Sequence, residues 1–425
     1  MVACDVERAD GTRFQSWLRE HQYPADCRAV PGVLTRAGRR LDGKSNWAGD
    51  YFYGLGLGSQ MASLKYNFVD SLVKGRVYHF PTTHYANPVR CASQRFDCYF
   101  EAPTNCTITN SATSSRSAHR KMDTAPLLWC FELPRRRLSR LAGLKAVHAE
   151  AWYHGQLSSF LFRPNAAMRA FRAEIAPRFD YNINHTRAAI AERVQPGLLH
   201  NGSSCVAMHI RRSDKFKGRR REDPRSALGF AQFGHAYKSW AFWNANRPTS
   251  QLRVLLGSED PASFNAMPPL LAPSVGYWIP GRYFVMANFH DIVSNNNKLV
   301  GRYAALLAKM AAAQAEGAAA VAALEASGVR KDEGMALIVQ ILLMAECQAF
   351  FGSYASNVAI LVHDLMHALR VAQCEHRNAI DVNGRAYCAC GASFCMKLER
   401  RAAREPRRPI RHMVEAFRGS NVNAI

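Results

Sequence analysis

The sequence predicts an α/β protein built on a parallel sheet. Two observations carry that prediction. In the second half of the chain, short apolar runs alternate with longer stretches of helical periodicity, the pattern of strands joined by crossover helices. Three of those runs, "CVAM", "RVLL" and "AFFG", end abruptly in polar clusters, as strands do where an open parallel sheet presents its carboxyl edge to a ligand.

Taken in order, residues 1–50 are polar and irregular in pattern and predict no element. From Tyr51 to Phe80 the order is glycine loop, helix, strand: "GLGLGSQ", then Met61, Leu64, Phe68 and Leu72 at helical spacing, then "RVYHF". Residues 84–124 hold three cysteines and a Ser/Thr/Asn-rich tract, the composition of a disulfide-stapled insertion. "PLLWCFEL" (126–133) is a candidate strand, and 149–178 reads as one helix through Trp152, Leu157, Phe160, Leu161, Met168 and Phe171. "CVAMHI" is a buried strand, "FAQFGHAYKSWAFWNAN" a helix and "LRVLLGSED" a strand ending in acids. "VGYWI" and "YFVM" are strand-like, "DEGMALIVQILLMAECQ" is a long apolar helix, "AFFGS" a strand and "NVAILVHDLMHALR" a helix. Beyond about Arg370 the chain is basic and rich in cysteine, a tail held by disulfides.

At 425 residues the chain exceeds one ordinary core, which argues for two domains. Apolar content of 48% excludes a disordered chain, and a net charge of +22 suits an anionic partner. The basic residues are dispersed, with no stripe interleaved with aromatics, so nucleic acid is not the expected partner. Twelve cysteines and three N-x-S/T sequons, at Asn105, Asn184 and Asn201, point to an oxidising compartment. The C-terminal set Cys374, Cys388, Cys390 and Cys395 lacks the paired C-x2-C knuckles of common zinc sites, so disulfides are favoured over zinc and no metal is expected. The most apolar long stretch, 305–324, carries Lys309, Gln314 and Glu316 and reads as an Ala-rich helix. Membrane attachment would therefore need an anchor outside this chain.

The strand-end clusters are His209–Lys215, Ser258–Asp260 and Ser353–Asn357. Each taken singly is also a helix cap: Asp260-Pro261 is a plausible helix start, and Ser353 or Ser356 a plausible N-cap. Converging on one edge, they predict a site. Arg211 and Arg212 offer planar donor forks suited to a diphosphate, one facing the ligand and the other the neighbouring wall. Gly54, Gly56 and Gly58 open a helix, so backbone N–H groups can approach a phosphate. Their spacing is not G-x-G-x-x-G and no long apolar strand precedes them, which argues against an ordinary dinucleotide fold.

These residues resemble a known family. "MHIRRSDK" looks like the H-x-R-R-x-D-K motif of the alpha-1,6-fucosyltransferases, the Nod-factor and N-glycan core enzymes of the fucosyltransferase superfamily. "GLGLGSQM", "WYHGQLSSFLFRP", "VLLGSEDP" and "FFGSYASNVAILVHDLM" resemble further family segments in the same order, over about Tyr51 to Leu369. The resemblance implies a GT-B-type glycosyltransferase with two Rossmann-like lobes facing across a cleft: 51–198, with the glycine loop and Cys-rich insertion, and 199–370, which binds the GDP-sugar. A basic Cys-rich tail follows at 371–425. It implies inverting transfer of fucose from GDP-fucose to an oligosaccharide or glycoprotein acceptor, without cofactor or metal, in the Golgi lumen. Arg211 and Arg212 would contact the diphosphate, His209 would lie close to the donor, and Gly56 and Gly58 would close over the phosphates. Glu259, Asp260, Ser356 and Asn357 would complete the donor site. Where the family has a glutamate ten residues after the motif histidine, this chain has Arg219, leaving Glu222 and Asp223 as candidate bases. Where it has an acid on the guanine side, this chain has Gln340. The family's C-terminal SH3-like domain has no counterpart here. A non-catalytic relative that binds a GDP-sugar or glycan is the alternative these departures suggest.

Overall fold

The computed structural model describes residues 2–27, 56–73, 75–80, 83, 91, 95–106, 135–175, 180–181, 205–212, 228–244, 252–258, 260, 262–278, 312, 316–317, 333–375, 377–385 and 387. The centre is a six-stranded sheet of β1 (Asp180–Tyr181), β2 (Cys205–Ile210), β3 (Arg253–Ser258), β4 (Val275–Trp278), β5 (Ala349–Gly352) and β6 (Asn378–Asp381). Their spatial order is β1-β4-β3-β2-β5-β6. All neighbours are parallel except β1, which runs antiparallel to β4 at the edge. From β2 the chain steps outward through β3 to β4, then returns to β5 on the other side of β2. That reversal is the topological switch of a doubly wound sheet, and the carboxyl ends of β2 and β5 meet there.

Right-handed crossovers put the helices of the two halves on opposite faces. Helices α6 (Phe230–Asn244) and α7 (Ala262–Leu271) lie between β2 and β4, while α8 (Glu333–Glu346) and α9 (Asn357–Gln373) flank β5. Alternation along β2 divides the core accordingly. Val206, Met208 and Ile210 meet Phe233, Tyr237 and Met267, whereas Cys205 and Ala207 join the core of α8 and α9. All six residues of β2 are buried, which explains its nearly continuous apolar sequence.

The first half of the chain is helical where it is described: α1 (Val2–Gln22), α2 (Leu57–Val73), α3 (Arg135–Leu141), α4 (Glu150–Leu161) and α5 (Ala166–Ile175). These helices share one core with α8 and α9 that runs from Phe14 to Tyr387. Among the described residues the first half supplies no separate sheet; its strand β1 pairs with β4.

Four sequence expectations are corrected. The irregular segment 1–50 begins with the helix α1. Its few apolar residues, Phe14, Trp17 and Leu18, suffice because Phe14 and Leu18 are fully buried against the main core, so tertiary packing overrides a polar composition. Arg76–Phe80 is not a regular strand, having only a bridge residue at Tyr78. The helix read over 149–178 breaks at Arg163-Pro164, because a residue before proline avoids the α region. Asn165 then caps α5, its Oδ1 accepting from the Met168 N–H at 2.9 Å. The boundary at 370 cuts through α9, and the tail contributes β6 to the sheet. "PLLWCFEL", "YFVM" and most of 305–324 lie outside the described residues.

Disulfides join Cys4 to Cys374, Cys27 to Cys106, Cys91 to Cys98, and Cys205 to Cys347. Their number is the chemistry of an oxidising, secreted or lumenal compartment. Among the described residues no helix is long and apolar enough to cross a membrane.

Candidate functional site

The carboxyl end of β2 delivers His209, Arg211 and Arg212. His209 lies opposite Gly257 of β3 in the register and is 5% exposed; both arginines are half-buried. The adjoining end of β3 is tied to β2 by Ser258, whose hydroxyl donates to the Ile210 carbonyl at 2.7 Å and accepts the Asp260 N–H at 3.0 Å. Asp260 has two duties. Its Oδ1 accepts the Ala262 N–H at 3.1 Å, capping α7, and its Oδ2 accepts from Arg212 Nε at 2.9 Å. Arg212 Nη1 also donates to the Leu228 carbonyl at 3.1 Å, and the guanidinium lies 3.9 Å above the Phe230 ring. Arg212 is thereby fixed in one plane against the β3 wall. Asp260 thus makes the bond at the start of α7 that the sequence suggested and also braces Arg212.

At β5 the chain turns through Ser353–Ser356 into α9. Ser353 Oγ accepts from the Ala355 N–H at 3.3 Å and from Asn383 Nδ2 at 2.9 Å, and the Tyr354 N–H donates to Asp381 Oδ1 at 2.7 Å. Burial pushes the Asp381 carboxyl up to about 6, against the opposing effect of backbone donors at Arg385 and Tyr354. Ser356 occupies the N-cap position with extended backbone but makes no side-chain cap bond. Asn357 reaches out of the turn instead, its Nδ2 donating to Ser59 Oγ of α2 at 2.6 Å.

That bond brings the glycine turn to the sheet edge. Gly58 packs on the first turn of α9, where an added Cβ would stand 2.9 Å from Val358 Cγ2 and 3.2 Å from the Val358 nitrogen. Gly56 closes the first turn of α2, its carbonyl accepting the Ser59 and Gln60 N–H groups. From Ser59 to Lys65 and from Asn357 to Asp364 the contacts advance the same way along both helices. So α2 and α9 run parallel with their N-termini together, and the positive ends of both dipoles face the same edge. The structure thus unites Gly56 and Gly58 with Ser356 and Asn357, and Arg212 with Asp260. Glu259, Glu222 and Asp223 lie outside the described residues.

Gln340, at the position where the resemblance has an acid, is a packed residue of α8. It is 2% exposed, and a Cβ at Gly257 would fall 1.9 Å from its Nε2, so glycine is what lets α8 rest on β3.

The residues that sequence reasoning missed are Lys65 and Asp364. They form a fully buried ion pair between α2 and α9, with Ser158 Oγ donating to Asp364 Oδ2 at 3.1 Å and Tyr387 OH donating to Oδ1. Burial disfavours the Asp364 charge, but Lys65 and the neighbouring donors hold its pKa below the ordinary carboxylate value. A signal existed: Lys65 sits on the stripe of Met61, Leu64 and Phe68, and Asp364 among "AILVHDLM", two opposite charges on apolar faces.

Two other features do not join this edge. A cavity of about 540 Å³ lies between α1, α4, α5 and the C-terminal ends of α8 and α9, lined by Gln15, Arg19, Arg172 and Leu369 among others; none of the strand-end residues borders it. Cys91, Asp97 and Cys98 place their ligand atoms within 4.8 Å of one another, but the two sulfurs are bonded together and offer no thiolate. Cys374 is likewise bonded to Cys4, which removes one ligand from the zinc reading of the C-terminal cysteines; Cys388, Cys390 and Cys395 lie outside the described residues. No family model matches the chain, and no curated protein matches it.

Proposed function

We propose that this chain is a GDP-fucose-dependent glycosyltransferase, two-lobed and of GT-B type, that transfers fucose with inversion to a glycan acceptor in the Golgi lumen. The observation that carries the reading is that β2 and β5 are parallel neighbours, so the strand end bearing Arg211 and Arg212 lies beside the one that leads into the joined N-termini of α9 and α2. An anionic diphosphate suits that edge: cations at Arg211 and Arg212 and two positive helix ends, brought together by the close approach of Gly58 to Val358.

In the reaction an acceptor hydroxyl attacks the anomeric carbon of the sugar. The bond to the diphosphate breaks, and GDP leaves with the electron pair. The site must stabilise charge on the leaving diphosphate and accept the hydroxyl proton. Arg211 and Arg212 serve the first duty, with Arg212 held in place by its bond to Asp260. Glu222 and Asp223 are the carboxylates next along the chain for the second duty.

The test is transfer from GDP-fucose to a panel of N-glycans by purified protein. Product formation by the wild type and its loss in Arg211→Ala, with the fold intact, is the expected result. Saturable GDP binding without transfer to any acceptor assigns the chain instead as a GDP-sugar-binding relative. Binding that is steeply salt-dependent and indifferent to GDP contradicts both.

A further inference from the structure

The buried Lys65–Asp364 pair stands well behind the site. Lys65 lies six residues beyond Ser59, about 9 Å along the helix axis. Lys65 is 1% and Asp364 0% exposed, in a core that also holds Leu64, Phe68, Phe160 and Leu361. Apolar contacts between two parallel helices are non-directional and leave their register weakly specified. An ion pair in that core is different. Sliding α2 on α9 by a single turn would strand both charges without partners, which is strongly unfavourable. Ser158 from α4 and Tyr387 from beyond β6 satisfy the remaining carboxylate positions, so the pair ties α2, α9, α4 and the C-terminal segment in one arrangement. The register it selects is the one in which Ser59 meets Asn357 and Gly58 meets Val358.

We propose that Lys65 and Asp364 are positioning residues: a register clamp that holds the first-turn amides of α2 beside the N-terminus of α9 and so sets the geometry of the phosphate cradle. This rests on the GDP-sugar reading of the strand edge. The clamp acts through Gly58 and Asn357 and touches no substrate.

The experiment replaces the pair together. Lys65→Met alone leaves Asp364 charged and buried, and is expected to compromise folding. The double variant Lys65→Met/Asp364→Leu, made in a Ser158→Ala/Tyr387→Phe background so that neither hydroxyl is stranded, substitutes an apolar pair, a change that commonly preserves or raises stability. Two readouts follow on folded protein: hydrogen exchange of the Ser59, Gln60 and Ile360 amides, which close the first turns of α2 and α9, and GDP affinity by calorimetry. In the double variant the three amides exchange faster while those of β2 and β5 do not, and GDP affinity falls about tenfold or more despite an unchanged Tm. Asp364→Glu, which keeps the carboxylate, retains most of the affinity. Exchange rates equal to wild type overturn the clamp. Faster exchange with undiminished GDP affinity overturns its positioning role. If the wild type binds no GDP, the reading of the site fails separately, and the exchange data alone judge the clamp.

Discussion

Arg212 and Asp260 hold each other through a 2.9 Å bond while Asp260 also caps α7, so their removal reaches beyond any ligand. Arg212→Ala leaves Asp260 half-buried with one acceptor unpaired and takes a cation off the Phe230 ring. It is expected to destabilise by about 1–3 kcal/mol as well as impair the site, checked by urea unfolding. Arg211→Ala removes the other strand-end cation, and its ligand binding is compared with wild type on protein confirmed folded. At the other strand end, Asp381 carries a pH signature. Its carboxyl is raised by burial from 3.8 to about 6 in the folded chain, so the folded state favours the protonated form. The stability this residue contributes is full below 3.8 and lost as the pH rises through about 6. Asp381→Asn, which is neutral at every pH, should accordingly gain Tm relative to wild type between pH 4 and pH 8. A difference that stays flat across that range contradicts the assignment.

At the scale of elements, β2, β3, β4 and β5 and the helices α6, α8 and α9 were legible because each has a short apolar run or a long periodic one with clear ends. β2 is buried along its whole length, and α9 starts at the polar turn that follows β5. What escaped depended on partners distant in sequence. α1 has few apolar residues and is covered by a core drawn from the rest of the chain, with Cys4 bonded to Cys374. β6 is partly exposed along its length and becomes a strand by pairing with β5. The glycine turn was legible as a helix start, but its neighbour was not: nothing local says that Gly58 lies on Val358, 300 residues later. That contact makes a prediction. Gly58→Ala puts a methyl 2.9 Å from Val358 Cγ2, which must shift; about 1–3 kcal/mol of overpacking is expected, with weaker GDP binding. Thermal unfolding and calorimetry check the two effects, and a variant with wild-type Tm and affinity would show that the close approach is unimportant.

For the whole molecule, the described helices of the first half belong to the same core as one face of the sheet, and the ion pair inside it ties α2 to α9. The candidate site was legible as clusters at strand ends, since polar residues following a buried strand need a reason to be there. Its assembly was not, because the order β4-β3-β2-β5-β6 and the parallel packing of α2 on α9 are properties of the folded chain. The proposed nucleoside-diphosphate site at this edge is tested by titration calorimetry of GDP against wild type and Arg211→Ala, both confirmed folded. Saturable one-to-one binding by the wild type and a loss of about tenfold or more in the variant are expected. No binding by the wild type, or equal affinity in the two, would contradict it.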